Sequence, residues 1–412
     1  MKVYKFGGAS VKDAQSVRNV LTVLSSQGFE ECLLVVSAMG KTTNALEKVV
    51  EIYFKNENPQ AALREVKQMH KEIAESLFPQ GHSVFDEISL FFDDIESFLR
   101  RNKSPNYNFV YDQVVACGEL ISSKILSEFL TLEGLTNQWL DARDFIKTDA
   151  TYREGQVDWG ETEKKIASLD RNKSYVTQGF IGSDDNNFTV TLGREGSDYS
   201  AAIFAYCLEA EAMTIWKDVP GVMTGDPRKF SGVKLLKHIS YEEAIEMAYY
   251  GASVIHPKTL QPLKQKNIPF FVKSFLSPQE PGTKVGISEQ NEYTESYILK
   301  EGQVLMRIST KDFSFIAEEH LSLIFTALAK FRIKISLMQN SAISLALCLE
   351  DKYQNIENLR NELCGNFAVE ITKEVSLYTI RNADVKDLDR LYSGKKVLLE
   401  QLSKNTVQMV IQ

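Results

Sequence analysis

The sequence predicts an α/β protein. A mostly parallel sheet with helices on both faces occupies about the first 285 residues, and a smaller α+β module with helices on one face of an antiparallel sheet follows. Three observations lead there. Short β-branched or aromatic runs alternate with longer helical patterns through the first 280 residues, and strand, turn, helix, strand at that density implies parallel pairing. That rhythm ends at the turn-rich segment Pro278 to Gly282, and after the polar run Ser288 to Ser296 the order becomes β-α-β-β-α-β, as in ferredoxin-like modules. The 412 residues leave room for two or three domains at about 100–200 residues each.

Taken in order, Val3–Phe6 and Cys32–Val36 read as strands. Between them lies a helix from about Asp13 with Val17, Val20, Leu21 and Leu24 on one face. Pro59–Phe78 and Val84–Arg101 read as consecutive helices, the second carrying a stripe of Val84, Ile88, Phe91, Ile95 and Phe98. This pair is either a mobile lid over a site or an insertion packed on the body, and the pattern favours the insertion. Asn137–Leu140, Tyr175–Gln178, Phe188–Thr191, Ala212–Trp216 and Phe270–Lys273 continue the strand series. Past the turn-rich segment, Val304–Ile308, Lys334–Met338, Ser341–Leu349 and Val375–Ile380 read as strands, with helices at Glu318–Lys330 and Asn355–Cys364. Lys395–Gln412 reads as two more strands, and the domain boundary is expected near residues 285–300.

Composition narrows the function classes. Hydrophobic residues at 43% and charged residues at 25% are ordinary for a globular chain. The 47 Lys and Arg against 55 Asp and Glu give a net charge of −8, which disfavours a dedicated nucleic-acid binder while allowing a local basic pocket for a small anion. Cys32, Cys117, Cys207, Cys348 and Cys364 are odd in number and irregular in spacing, with no C-x-x-C pair, which points to a reducing compartment. The five histidines lie far apart, so no metal-ligand spacing is expected. The N-terminus carries no signal-peptide core and no apolar run approaches a membrane span, so a cytoplasmic protein without a membrane partner is expected.

Four segments carry chemistry. In Lys5 to Ser10 (KFGGAS) a strand delivers Lys5, Gly7 and Gly8 let backbone N–H groups approach a ligand, and Ser10 with Asp13 reads as a capping box. The set suits a nucleotide phosphate or is a tight turn with a lysine on it. Val35 to Asn44 is a strand leading into a small-residue loop with Ser37, Thr42 and Thr43, which is either a ligand loop or, as the pattern alone favours, an ordinary Ser/Thr-rich helix N-cap. Open α/β sheets bind ligands outside the carboxyl ends of strands, where both loops fall. In Thr191 to Ala201 (TLGREGSDYSA), Arg194 can grip a carboxylate and Asp198 can orient a lysine or reach a metal, or the segment is a glycine-containing β-turn with surface charges. The block Ile215 to Phe230 makes two rigid loops, at Pro220-Gly221 and Asp226-Pro227, that frame a cofactor or merely join elements.

Together these segments resemble the aspartokinases of the amino-acid-kinase family. K-F-G-G-[TS]-S appears as KFGGAS, the V-S-A loop with its downstream Thr as Ser37 and Thr43, and the G-E pair as Gly118-Glu119. G-R-G-G-S-D appears as GREGSD, D-V-P-G-V…D-P-R as Asp218 to Arg228, and G-A-x-V-[IL]-H-P-x-T as Gly251 to Thr259. The matches keep the family's order over about 280 residues, and the tail resembles its ACT regulatory region. The resemblance implies a three-layer αβα, carbamate-kinase-like domain over 1–285 and an ACT region over 300–412, divided at about 300–370 and 371–412 with the second member shortened. It also implies a monofunctional kinase that transfers phosphate from ATP, with Mg²⁺, to the β-carboxylate of L-aspartate. That is the first step of lysine, threonine and methionine biosynthesis.

By the same resemblance, Lys5, Gly7, Gly8 and Asp198 would be catalytic, and Ser37, Thr43, Glu119, Arg194 and Ser197 would bind aspartate. Lys5, Gly7, Gly8, Ser10, Lys217, Asp218, Met223, Arg228 and Ser253 would face the nucleotide, with no protein-held metal. The departures fall on the nucleotide side: Lys217 where the family often has Thr, Met223 for Tyr, Ser253 for Lys, and Glu195 for a second Gly of the loop. One expectation is that Lys217 replaces the charge lost at Ser253. Ile335 to Ser344 resembles the ACT signature, which implies lysine or threonine as a feedback effector, and a homodimer or higher homo-oligomer is expected. Another amino-acid kinase, or an amino-acid sensor with a decayed nucleotide site, stays open as an alternative.

Overall fold

The structure, a computed structural model, describes residues 1–252, 255–287, 294–383 and 396–412. The chain forms two compact units. One comprises Met1–Val222, Lys237–Ile245 and Val254–Glu289; the other comprises Met223–Leu236, Glu246–Ser253 and Gln290–Gln412. Two segments within residues 1–285 thus belong with the C-terminal unit.

The first unit opens with β1 (Lys2–Phe6), a single 3₁₀ turn (Gly8–Val11), α1 (Ala14–Gln27), β2 (Cys32–Val36) and α2 (Thr42–Phe54). Four helices follow: α3 (Gln60–Leu77), α4 (Val84–Arg101), α5 (Tyr107–Val115) and α6 (Cys117–Leu132). Next come β3 (Gln138–Trp139), α7 (Ala142–Phe145), α8 (Trp159–Ala167), β4 (Tyr175–Gln178), β5 (Ile181–Ser183) and β6 (Thr189–Thr191). The series continues with α9 (Gly196–Leu208), β7 (Met213–Lys217), β8 (His238–Ser240), α10 (Tyr241–Tyr250, of which only the part up to Ile245 belongs to this unit), α11 (Pro257–Gln265), β9 (Phe270–Ser274) and β10 (Thr283–Gly286).

Eight of these strands form one sheet in the order β3-β4-β2-β1-β7-β9-β10-β8. Its pairings are parallel except β9 with β10. β2 is buried at every residue, which is why Cys32–Val36 reads as an unbroken apolar run rather than an alternation. Tyr4, Phe6, Leu34, Val36 and Trp216 enter one core with α1 to α6. The opposite face carries α9, packed on β1, β2 and β7. This is the three-layer αβα arrangement.

Two readings shift by one position. α4 buries Val84, Ile88, Phe92, Ile95 and Leu99, leaving Phe91 and Phe98 half-buried. A period of 3.6 from Ile88 admits either the third or the fourth residue onward, and packing chose the fourth. α3 and α4 share the core of β1 and β2, so the pair is an insertion packed on the body. The cap also moves. Asp13 Oδ1 accepts from Ser16 N at 2.7 Å and is itself the N-cap of α1, whereas Ser10 lies in the preceding 3₁₀ turn. The proposed Ser10–Asp13 box therefore does not form.

The second unit contains β11 (Ser296–Thr310), α12 (Glu318–Lys330), β12 (Lys334–Asn340), β13 (Ser344–Glu350), α13 (Ile356–Leu363), β14 (Phe367–Arg381), β15 (Val397–Ser403) and β16 (Thr406–Ile411). They form an antiparallel sheet in the order β12-β13-β11-β14-β16-β15. β12-β13-β11-β14 is the ferredoxin-like order. α12 and α13 cover one face of that half, burying Ile324, Leu328 and Leu359 against Met306, Ile308, Leu347 and Phe367. β11 and β14 are each 15 residues long and continue past this half. Ser296–Lys300 pairs with Leu377–Arg381, which then pairs with β16. The second half of the sheet thus takes one strand from a segment that precedes the first half in sequence. Among the described residues no helix is long and apolar enough to cross a membrane.

Candidate active site

The site assembles at the carboxyl ends of β2, β1 and β7. Register places Phe6 beside Val36 on one side and Trp216 on the other, so the loops after the three strands emerge together. Alternation along β1 sends Tyr4 and Phe6 into the helical core and Lys5 to the α9 face. There, in the first turn of α9, lies Asp198, fully buried. Lys5 Nζ stands 2.5 Å from Asp198 Oδ1, and Lys217 Nζ from the end of β7 stands 3.6 Å from Oδ2. Burial by itself would push the Asp198 carboxyl up, but the charges of Lys5 and Lys217 and their hydrogen bonds outweigh it and hold the group below the usual carboxylate range.

Two glycines make the close approach possible. A Cβ at Gly8 would lie 2.8 Å from the Ala38 carbonyl oxygen and 3.1 Å from that of Gly40, both backbone atoms. Gly40 N donates to Gly8 O at 3.1 Å, so the loops after β1 and β2 are sutured face to face. A Cβ at Gly7 would lie 3.4 Å from Lys5 Nζ, in the space before the ammonium. Ser10 Oγ is buried without a hydrogen-bond partner among the described residues, as expected of a group awaiting a ligand.

The neighbouring wall is made by the loop after β2 and the start of α6. Ser122 Oγ donates to Ser37 O at 2.7 Å, and the Glu119 carboxylate accepts from the Ala38 N–H. Gly118 allows this contact, since a Cβ there would meet Thr42 Cγ2 at 2.9 Å. Glu119 is 3% exposed, and its Oε2 has no hydrogen-bond partner among the described residues. Desolvation pushes its carboxyl up to about 8, against the Ala38 hydrogen bond. Thr43 lies half-buried in the first turn of α2.

The loop Thr191–Ser197 closes the constellation. Gly179 N donates to Val36 O at 2.9 Å, and a Cβ at Gly179 would lie 2.5 Å from that of Ser197, so Ser197 packs against the backbone just past the end of β4. Arg194 and Glu195 are exposed, and Glu195 adopts φ 54°, where glycine is favoured. The loop is tethered upstream by Asp112, whose carboxylate accepts from Thr191 N at 2.9 Å, Thr191 Oγ1 at 2.8 Å and Arg153 N at 2.9 Å.

The structure therefore brings Lys5, Gly7, Gly8, Asp198 and Lys217 together, with Ser37, Glu119 and Ser197 fixed to the adjoining loops. The Lys217–Arg228 block divides. Asp218 follows β7 in the first unit and is exposed, whereas Met223 and Arg228 belong to the second. Met223 bridges to Leu235, and the exposed Arg228 guanidinium donates to the Asp226 carboxylate at 3.0, 3.2 and 2.7 Å. Ser253 lies outside the described residues. Sequence reasoning missed Ser122, Asp112 and Gly179. Ser122 had a signal, since it follows Glu119 by one helical turn and shares its face. Asp112 had a weaker one, a lone carboxylate in the apolar helix Tyr107–Val115.

Comparison with known proteins sets this geometry in context. The amino acid kinase family profile matches residues 1–274. Lysine-sensitive aspartokinase 3 of Escherichia coli (strain K12) is 33% identical over 366 residues, covering 84% of this chain and 78% of that protein. The chloroplastic bifunctional aspartokinase/homoserine dehydrogenase 2 of Arabidopsis thaliana is 35% identical over 305 residues, or 71% of this chain. The chain spans about a third of the length of that relative and of similar plant bifunctional proteins. Among solved structures, E. coli aspartokinase III in complex with aspartate and ADP (R-state) matches with a TM-score of 0.85 at 28% identity, covering 100% of this chain and 96% of that one. The same E. coli protein in complex with lysine and aspartate (T-state) gives 0.84 at 27%, covering 100% and 95%. On these grounds the chain belongs to the amino acid kinase family, among the aspartokinases.

Proposed function

We propose that the chain transfers the γ-phosphoryl group of ATP to the β-carboxylate of L-aspartate, giving 4-phospho-L-aspartate. The observation that carries this reading is the buried Lys5–Asp198 pair at 2.5 Å, set beside two glycines at the end of β1. A carboxylate nucleophile is already ionised at neutral pH and needs no general base. The task left to the protein is to bring two anions into line and to stabilise charge on the group in flight. Asp198 holds the Lys5 ammonium in place, and Lys5 with the backbone N–H groups of Gly7 and Gly8 would meet the phosphoryl oxygens. Glu119 would take the α-ammonium of aspartate on its partnerless oxygen, and Arg194 would grip a carboxylate, with Ser37, Thr43 and Ser197 completing the pocket.

Mg²⁺ arriving with ATP would supply positive charge against that of the phosphates. Among the described residues no group of three His, Cys, Asp or Glu side chains is placed to hold a metal ion. On the nucleotide side, Ser10 and Asp218 follow β1 and β7, while Met223, Arg228 and Ser253 rest on the family resemblance.

We further propose feedback control through the C-terminal unit by an amino-acid end product in a cytoplasmic homo-oligomer. The lysine-sensitivity of E. coli aspartokinase 3 favours lysine over threonine. An ADP-release assay with aspartate, and with glutamate as control, tests the activity. Turnover with aspartate alone is expected, and no turnover with any amino acid would refute it. Lysine titrated into the same assay is expected to inhibit.

A further inference from the structure

We propose that Lys217 is a second catalytic cation, holding the transferring phosphoryl group together with Lys5 across one shared carboxylate. The inference rests on the kinase reading above. Its first support is register. Lys5 pairs with Ile215, so Lys217, two residues on, projects to the same face of the sheet as Lys5. Trp216 projects to the other face, where it stacks on Phe6 at 6.1 Å with the rings 8° from parallel. Asp198 faces both lysines from the first turn of α9 and presents a different oxygen to each, at 2.5 and 3.6 Å.

The second support is that the lysine's backbone is fixed. Lys217 pairs with Ser274 of β9, and its carbonyl accepts from Phe275 N at 3.0 Å. β7 thus ends on a clamped residue, and the ammonium is directed to Asp198 rather than left to sweep the loop.

The third support is charge. One lysine on one aspartate is a neutral pair, with little to offer three phosphoryl oxygens. Two lysines on one aspartate keep a net charge of +1 where negative charge must be stabilised. The exposures divide the roles. The Lys5 side chain is 9% exposed and that of Lys217 is 21%, so Lys217 is the ammonium more open to an incoming anion. An ammonium that meets the phosphoryl group in flight acts on the rate of transfer rather than on nucleotide affinity alone.

The test compares wild type with Lys217→Ala and Lys217→Arg, using the full chain with ATP and Mg²⁺, each substrate titrated with the other saturating, and added methylammonium or ethylammonium. We expect Lys217→Ala to lower kcat about 100-fold, with the KM for aspartate within twofold of wild type. Lys217→Arg should recover at least a tenth of the wild-type rate, and the small ammonium ions should raise the Ala variant's rate but not that of wild type. Undiminished kcat in Lys217→Ala, or a change confined to the KM for ATP, overturns the proposal while leaving the kinase reading intact. So does a slow Ala variant that neither arginine nor ammonium ions restore, since that would be loss of packing. A wild-type chain without aspartate turnover overturns the parent reading and this one with it.

Discussion

Replacing Glu119 by glutamine separates the charge of its carboxyl from its shape. The group is buried, keeps one oxygen without a hydrogen-bond partner among the described residues, and is pushed up to about 8 by desolvation. At pH 7 only about one molecule in eleven of the ligand-free protein carries the carboxylate. If that carboxylate receives the α-ammonium of aspartate, binding must first expel a proton. The apparent affinity is then weakened by about elevenfold at pH 7, twofold at pH 8 and 1.3-fold at pH 8.5. The KM for aspartate should therefore fall about eightfold between pH 7 and 8.5, and calorimetry at pH 7 should register close to one proton released per aspartate bound. Glu119→Gln should abolish this slope and leave the KM at least about 30-fold higher at pH 8.5, the worth of a charge-assisted hydrogen bond. Stability runs the opposite way. The folded value lies above the ordinary 4.5, so this contribution is full below about pH 4.5 and is lost as the pH rises through about 8. Aspartate should recover it. A KM that stays flat from pH 7 to 8.5, or the same slope in Glu119→Gln, would refute the reasoning.

Three other perturbations follow from the same geometry. Asp198→Asn leaves the Lys5 and Lys217 ammoniums facing each other without a counter-charge, so stability in urea should drop by about 3–5 kcal/mol and turnover by about 1,000-fold. A variant as stable and active as wild type would mean the ion pairs do not govern the site. Gly8→Ala drives a Cβ to 2.8 Å from a backbone carbonyl that cannot yield, so aspartate turnover should fall more than 100-fold with about 1–3 kcal/mol of stability, and unchanged kinetics would show that the two loops give way. Glu195→Gly relieves φ 54° at an exposed residue and should stabilise by about 0.5–1 kcal/mol, read as a higher melting temperature; a lower one would show that the Glu195 side chain holds the loop.

What could be read beforehand follows from where the physics is local. Cys32–Val36 was legible because burial on both faces writes an unbroken apolar run into the sequence, and Tyr175–Gln178 (YVTQ) was legible through its aromatic and β-branched residues. Thr283–Gly286 was not. Its four residues are held by β8 and β9, and nothing in them is decisive without those partners. The α4 stripe was legible as a face, but the choice between Phe91 and Phe92 belongs to packing. At the site, Lys5 and Asp198 stood out through their motifs, yet their contact is made by β1 meeting α9 across most of the kinase region, and no spacing rule reports it. The Asp112 tether joins a helix to a strand and a loop distant in sequence, so its three bonds become visible only in three dimensions. The second half of the C-terminal sheet was hardest of all, because one of its strands is written before the first half begins.

That arrangement has a mechanical consequence. β11 and β14 run through both halves of the C-terminal sheet, so the halves share rails instead of a linker. A shift of one half along the strand axis must be carried by the same main chain into the other, as a rod carries a push. The rails have one loose joint. The register slips between Lys300 and Leu305, where Gly302 takes φ 65°. Strain from a ligand bound on either half would be absorbed there or nowhere, and stiffening that joint would change how far the push travels before it would change what binds.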